Sequence, residues 1–195
     1  MLTKIRLRTV WVLVPLYLLL ARPTALFIAI GLLFAVAGGM TRAWAAGAIR
    51  KNKVLSTHGP YAFTRNPLYL GSFLIGLGFA IAAGPDRWWI FTAIFIAFFV
   101  LVYFRVMRKE EDRLERLFGQ EFRSYAAAVP RFLPRIPPWS DVTGRTSPAR
   151  PEAVEAVETT PQGAFQLKRY IANREYQAIL GMGIMFLLLV AKMLF

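Results

Sequence analysis

This sequence predicts an all-α integral membrane protein with about five transmembrane helices and a cytosolic helical extension. Hydrophobic residues make up 56% of its 195 positions and mean hydropathy is +0.45, too apolar for an ordinary soluble domain. Several runs approach the roughly 20 apolar residues that cross a bilayer. The net charge is +13, and its basic residues gather just outside those runs. They form three groups: Lys4, Arg6 and Arg8; Arg50, Lys51 and Lys53; Arg105, Arg108 and Lys109. That is the positive-inside distribution, with an added attraction to anionic head groups. It argues against nucleic acid as the partner.

The first run, Leu7 to Ala21, opens like a signal peptide but leads through Arg22-Pro23 straight into more apolar sequence. It is expected to remain as a first span, with a tight turn at the proline. Thr24 to about Ala46 is a full span whose Gly38-Gly39 pair and alanines suit close helix packing. The third runs from Pro67 to Ala83 and ends at Gly84-Pro85-Asp86. The fourth begins at the interfacial pair Trp88-Trp89 and passes Phe104. Helical periodicity then continues into water, with Leu114, Leu117 and Phe118 on one stripe. Phe118-Gly119 stops it, and a short helix resumes from Glu121 to Ala128.

From Pro137 to Gln162 the chain is rich in Pro, Thr, Ala and Glu with little to bury, and reads as a flexible linker. A last span runs from Tyr176 to Phe195. The expected organisation is a membrane core at 1–136, a cytoplasmic linker at 137–165 and a C-terminal transmembrane helix at 166–195. The last helix is expected to pack or to self-associate as a homo-oligomer. One set of loops carries few charges and the other nearly all, so the polar clusters are expected to face the cytoplasm of a bacterial inner membrane.

There is no cysteine and one histidine, so thiol chemistry and a histidine metal site are excluded. No P-loop and no Ser-His-Asp pattern appears. Chemistry is concentrated instead in two polar clusters beside apolar runs. The first is His58-Gly59-Pro60-Tyr61-Ala62-Phe63-Thr64-Arg65-Asn66-Pro67-Leu68-Tyr69. Polar and helix-breaking residues at a membrane face are costly unless they line a cavity. Pro67 suits the first turn of a helix, which places Tyr69 near free backbone N–H groups and the positive helix end. The second cluster runs from Arg105 through Glu110 and Glu111 to Phe118-Gly119 and Tyr125. A carboxylate there can pair with a neighbouring arginine or with a cationic ligand.

Together, Leu55, Gly59-Pro60-Tyr61, Arg65-Asn66-Pro67-x-Tyr69, Glu110-Glu111, Phe118-Gly119, Tyr125 and Pro130 resemble the isoprenylcysteine carboxyl methyltransferase family and its bacterial relatives. More distantly they resemble phospholipid N-methyltransferases, which share Gly-x-Gly, here Gly76-Leu77-Gly78, and a Glu-Glu pair. The resemblance covers roughly residues 50 to 136. It implies a helical membrane fold binding S-adenosylmethionine in a cytosolic pocket. By position it assigns the cofactor to Leu55, Tyr61, Asn66, Tyr69 and Glu110. Two departures stand out: Asn66 replaces a histidine common in the family, and Val106 occupies the position of a substrate-binding arginine.

The implied function is methyl transfer to a lipophilic acceptor, such as an isoprenoid-type carboxylate or a similar lipid. An ionised carboxylate needs alignment, desolvation and a cation, for which Arg105 and Arg108 are the candidates. An amine must first lose a proton, for which Glu111 is the candidate. The alternatives are a phospholipid N-methyltransferase, an NADPH-dependent membrane reductase and a non-enzymatic membrane scaffold.

Overall fold

The computed structural model describes residues 14–49, 54–140 and 163–195, and among them every regular element is helical. Helix α1 covers 14–20 of the described chain. It is followed by α2 (Ala25–Ala48), a 3-10 turn (Gly59–Ala62), α3 (Pro67–Ala82) and α4 (Trp88–Phe118). Then come α5 (Gln120–Ala128), α6 (Leu167–Ala172) and α7 (Tyr176–Leu194). The basic groups at Lys4–Arg8 and Arg50–Lys53, the start of the first span and residues 141–162 of the expected linker lie outside the described residues.

Among the described residues, three helices are long and apolar enough to cross a membrane: α2 with 24 residues, α4 with 31 and α7 with 19. The expected count of five therefore depends on the first span, of which residues 14–20 are described as α1, and on α3. The 16 residues of α3 extend about 24 Å at 1.5 Å per residue, short of the roughly 30 Å hydrocarbon layer. In contrast, α4 extends about 46 Å, so its last third projects beyond any bilayer the first part spans.

Small residues decide how α2 meets α3. Gly31, Ala35 and Gly38 recur on one face of α2, opposite Gly71, Ile75 and Gly78 on α3. A methyl group built on Gly38 would lie 2.5 Å from the Gly71 carbonyl oxygen, and one on Gly71 would lie 2.6 Å from the Gly38 oxygen. Such backbone-to-backbone approach is possible only without side chains, the small-xxx-small mode of membrane helices. Gly78 belongs to this seam, which accounts for it as a packing residue, while Gly76 faces the Phe95 ring.

The turns at the far end are tied together. Arg22 N donates to Ala83 O at 2.7 Å. Gly84 has φ +103°, a left-handed conformation that suits glycine, and its missing side chain leaves room for the Arg22 carbonyl. Arg87 Nη1 donates to Leu20 O at 2.8 Å. Helix α7 packs beside this end through buried Phe186 and Leu189, which join Ala21, Ile28, Ala35, Ala82 and Ala83. Phe79 and Phe186 stack at 4.9 Å. The last helix is thus folded back onto the chain's own core.

A strap at residues 130–139 runs back over the first polar cluster. Arg65 N donates to Pro130 O, Arg135 N to Phe63 O and Trp139 N to Ala62 O, each at 2.9 Å. Phe132 of the strap joins Phe73 and fully buried Phe99 in an aromatic cluster, with centroids 5.5 Å from each. Trp139, within the segment expected as a linker from Pro137, is thus hydrogen-bonded to the first cluster. The ring of Trp139 stands edge-on to Tyr125 at 5.7 Å. Phe165 occupies the space a side chain at Gly47 would need.

Candidate functional site

Where α2, α3, α4 and α5 converge, they leave a cavity of about 560 Å³, within the usual range of ligand sites. Its walls come from five stretches of chain. The end of α2 gives Arg42 and Ile49, and the following segment gives Val54, Leu55 and Ser56. Tyr61, Arg65 and Asn66 lead into Pro67, Leu68, Tyr69 and Ser72 of α3. Helix α4 contributes Tyr103, Glu110, Glu111, Arg113, Leu114 and Phe118, and α5 adds Phe122 and Tyr125. Leu55, Tyr61, Asn66, Tyr69 and Glu110, scattered over 56 positions of sequence, thus line one space.

Local rules explain the placement. Gly59, with φ +63°, opens the 3-10 turn, and Pro60 follows at its start. The turn directs Tyr61 inward, where it is buried and its hydroxyl lies 3.5 Å from Ala45 O. Tyr125 Oη donates to Tyr61 O at 2.7 Å, fastening α5 to the turn. Burial pushes both phenols above their ordinary range; the Tyr125 and Glu175 charges add to this at Tyr61. Both therefore remain neutral hydrogen-bonding groups. Pro67 is the first residue of α3, where no N–H is needed. Tyr69 follows and meets Tyr103 edge-on at 5.6 Å.

Asn66 is buried and its Nδ2 donates to Arg131 O at 3.0 Å. Its amide thus holds the strap while the residue lines the cavity. Thr64 acts likewise, its hydroxyl donating to Arg131 O and Phe132 O at 3.2 and 3.0 Å.

Glu110 is exposed at the rim, whereas Glu111 is buried. Glu111 is the candidate proton acceptor of the sequence. Instead both its oxygens receive Arg131, Nη2 at 2.6 Å and Nε at 2.9 and 3.0 Å. Arg65 Nη1 stands 3.4 Å from the same carboxylate. The hydrogen bond to Glu111 pushes the Arg131 guanidinium above its ordinary range. Such a bidentate pair fixes geometry as well as charge.

Arg105 and Arg108, expected to hold the acceptor, are exposed and do not line the cavity. They lie about 200° and 140° around α4 from Tyr103, whereas Glu110 and Leu114 return to within about 20° of it. Arg105 Nη1 instead donates to its own helix at Leu101 O, 3.2 Å away. The cations that do line the space are Arg42, Arg65 and Arg113. Arg42 lies inside an apolar span, and a charge there is itself a functional signal. Arg65 was visible in the first cluster; Ser72 and Tyr103 carried no signal beyond ordinary helix composition.

Among the described residues, no three acidic or histidine side chains group closely enough to hold a metal ion. A model of the phospholipid methyltransferase family matches residues 24–121, which span α2 through the start of α5. The nickel-cobalt-cadmium resistance protein NccN of Alcaligenes xylosoxydans xylosoxydans is 36% identical over 117 residues, 58% of this chain and 52% of that protein. The cobalt-zinc-cadmium resistance protein CzcN of Cupriavidus metallidurans is 36% identical over 113 residues, 57% of this chain and 50% of that one. A protein-S-isoprenylcysteine O-methyltransferase of Schizosaccharomyces pombe is 31% identical over 87 residues, 45% of this chain and 36% of that enzyme. The chain thus spans about half the length, or less, of these curated relatives. No solved structure matches it. With half its length matched, and with its helices and cavity arranged as described, the chain belongs to the phospholipid methyltransferase family.

Proposed function

We propose that this chain transfers a methyl group from S-adenosylmethionine to a lipid-soluble acceptor at the cytoplasmic face of a bacterial inner membrane. The observation that carries the reading is the convergence of Leu55, Tyr61, Asn66, Tyr69 and Glu110 on one cavity of about 560 Å³, in a chain of this family. The lining fits the cofactor's chemistry. Glu110 offers a carboxylate to its cationic groups, and Tyr69 and Tyr103 offer aromatic faces. Leu55, Leu114, Phe118 and Phe122 form an apolar wall suited to a flat ring system and to excluding water.

When bound, S-adenosylmethionine would supply a sulfonium methyl carbon to the acceptor's lone pair, with the thioether as leaving group. What the protein contributes is alignment and desolvation. Arg65 is the cation best placed to hold an anionic acceptor group. Its side chain is 14% exposed, it lines the cavity, and its Nε is buried without a hydrogen-bond partner. Glu111 has both oxygens taken by Arg131, so it is not poised to accept a proton. An acceptor already ionised at neutral pH, a carboxylate, therefore requires least of this site. The lipid tail remains in the bilayer beside the apolar helices while the cofactor enters from water.

Membranes containing the protein are incubated with methyl-labelled S-adenosylmethionine, and extracted lipids are analysed by mass spectrometry. A labelled methyl ester supports the carboxylate reading. Label on nitrogen replaces it with a phospholipid N-methyltransferase. Absence of protein-dependent label in any lipid overturns both.

A further inference from the structure

Arg42 continues the small-residue stripe of α2, one step beyond Gly31, Ala35 and Gly38, at the point where the α2–α3 seam opens into the cavity. Its stem passes over Gly71, where an added methyl group would lie 2.5 Å from Arg42 Cγ. The guanidinium is only partly exposed (22% of the side chain) in a helix that spans the membrane. A charge in such a place needs a partner.

Two elements supply one. Nη1 donates to Leu68 O at 3.2 Å and to Ser72 Oγ, fastening the first turns of α3. Nε and Nη2 donate to both oxygens of Glu175 at 2.7 to 2.9 Å. Glu175 stands immediately before α7, 133 positions away, where its charge also suits the helix dipole. The same segment is held twice more to the end of α2, Gln166 N donating to Gly47 O at 3.1 Å and Asn173 Nδ2 to Ala46 O at 2.9 Å.

We infer that Glu175 is a positioning residue of the cavity, acting through Arg42 to hold the turns of α3 that carry Asn66, Tyr69 and Ser72. The site is therefore completed by a C-terminal segment outside residues 24–121. This deepens the methyl-transfer reading, on which only its binding readout rests.

The test uses the full chain in lipid nanodiscs. Hydrogen exchange is measured at the Tyr69 and Leu70 amides, which donate to Asn66 O, together with S-adenosylmethionine affinity by calorimetry. E175A is expected to speed exchange of those amides and weaken cofactor binding, each at least tenfold, while exchange of α4 is unchanged. E175D should restore both. R42K keeps the charge but not the fork, and should reproduce the exchange effect if E175A fails to fold. Values for E175A within twofold of wild type overturn the inference, as does a loss that spreads evenly through the chain in both variants. If the wild type binds no S-adenosylmethionine, the methyl-transfer reading fails and the exchange data alone decide the role of Glu175.

Discussion

Replacing Glu111 with glutamine tests whether that carboxylate is a structural hub or a catalytic base. The substitution keeps shape and removes charge, leaving Arg131 and Arg65 facing an amide. Breaking a buried pair from one side costs about 3–5 kcal/mol. The Glu111 side chain is 10% exposed and that of Arg131 31%, so the lower end applies, about 3 kcal/mol, equivalent to roughly a hundredfold in an equilibrium. The cost falls on the strap, because Arg131 is the residue whose carbonyl receives Thr64 and Asn66. Hydrogen exchange on the purified protein reads it directly at the Arg135 and Trp139 amides, which donate to Phe63 O and Ala62 O. Both should exchange about a hundredfold faster in E111Q, if they exchange by opening of the strap. Methyl transfer should fall with them as Asn66 and Arg65 lose their support. Wild-type exchange combined with lost activity would refute the hub and return Glu111 to the role of proton acceptor.

Glu110→Gln removes an exposed charge at the cavity rim, where solvent weakens its pull, so cofactor affinity should drop by about 1 kcal/mol, roughly fivefold. Unchanged affinity in a calorimetric titration would remove Glu110 from the cofactor site. Gly38→Leu forces apart two backbones already in contact and should destabilise the fold by up to about 3 kcal/mol. A thermal melt in detergent that matches wild type would refute the glycine seam. Burial raises the Tyr61 and Tyr125 phenols, so above about pH 10 the unfolded chain releases their protons before the folded one. Their contribution is complete below that pH and declines above it. Melts between pH 8 and 11 should show a decline that the double variant Y61F/Y125F makes shallower. An equal slope in both proteins would contradict it.

Local signals gave most of the scaffold. Pro67 begins α3, Trp88 begins α4 and Gly119 ends it because the energetics of those positions reside in one or two residues. Family resemblance assigns five positions to a cofactor, and among the described residues all five line one cavity. What escaped was long-range electrostatics. Arg42 and Glu175 are 133 positions apart, and nothing near either residue names the other. Arg131 carries no local signal either, yet it holds both oxygens of Glu111. Arg105 and Arg108, the candidate acceptor cations, are exposed and do not line the cavity. At 100° per residue they lie away from the face of α4 that carries Tyr103 and Glu110. Pro-rich composition likewise does not reveal that Trp139 stands against the Tyr125 ring.

The central claim is that the cavity is a cofactor site, and titration of the purified full chain with S-adenosylmethionine by calorimetry tests it most directly. Saturable binding at one site per chain, with no comparable heat from NADPH, is the expected result. Binding of NADPH in place of S-adenosylmethionine, or of neither, would contradict it.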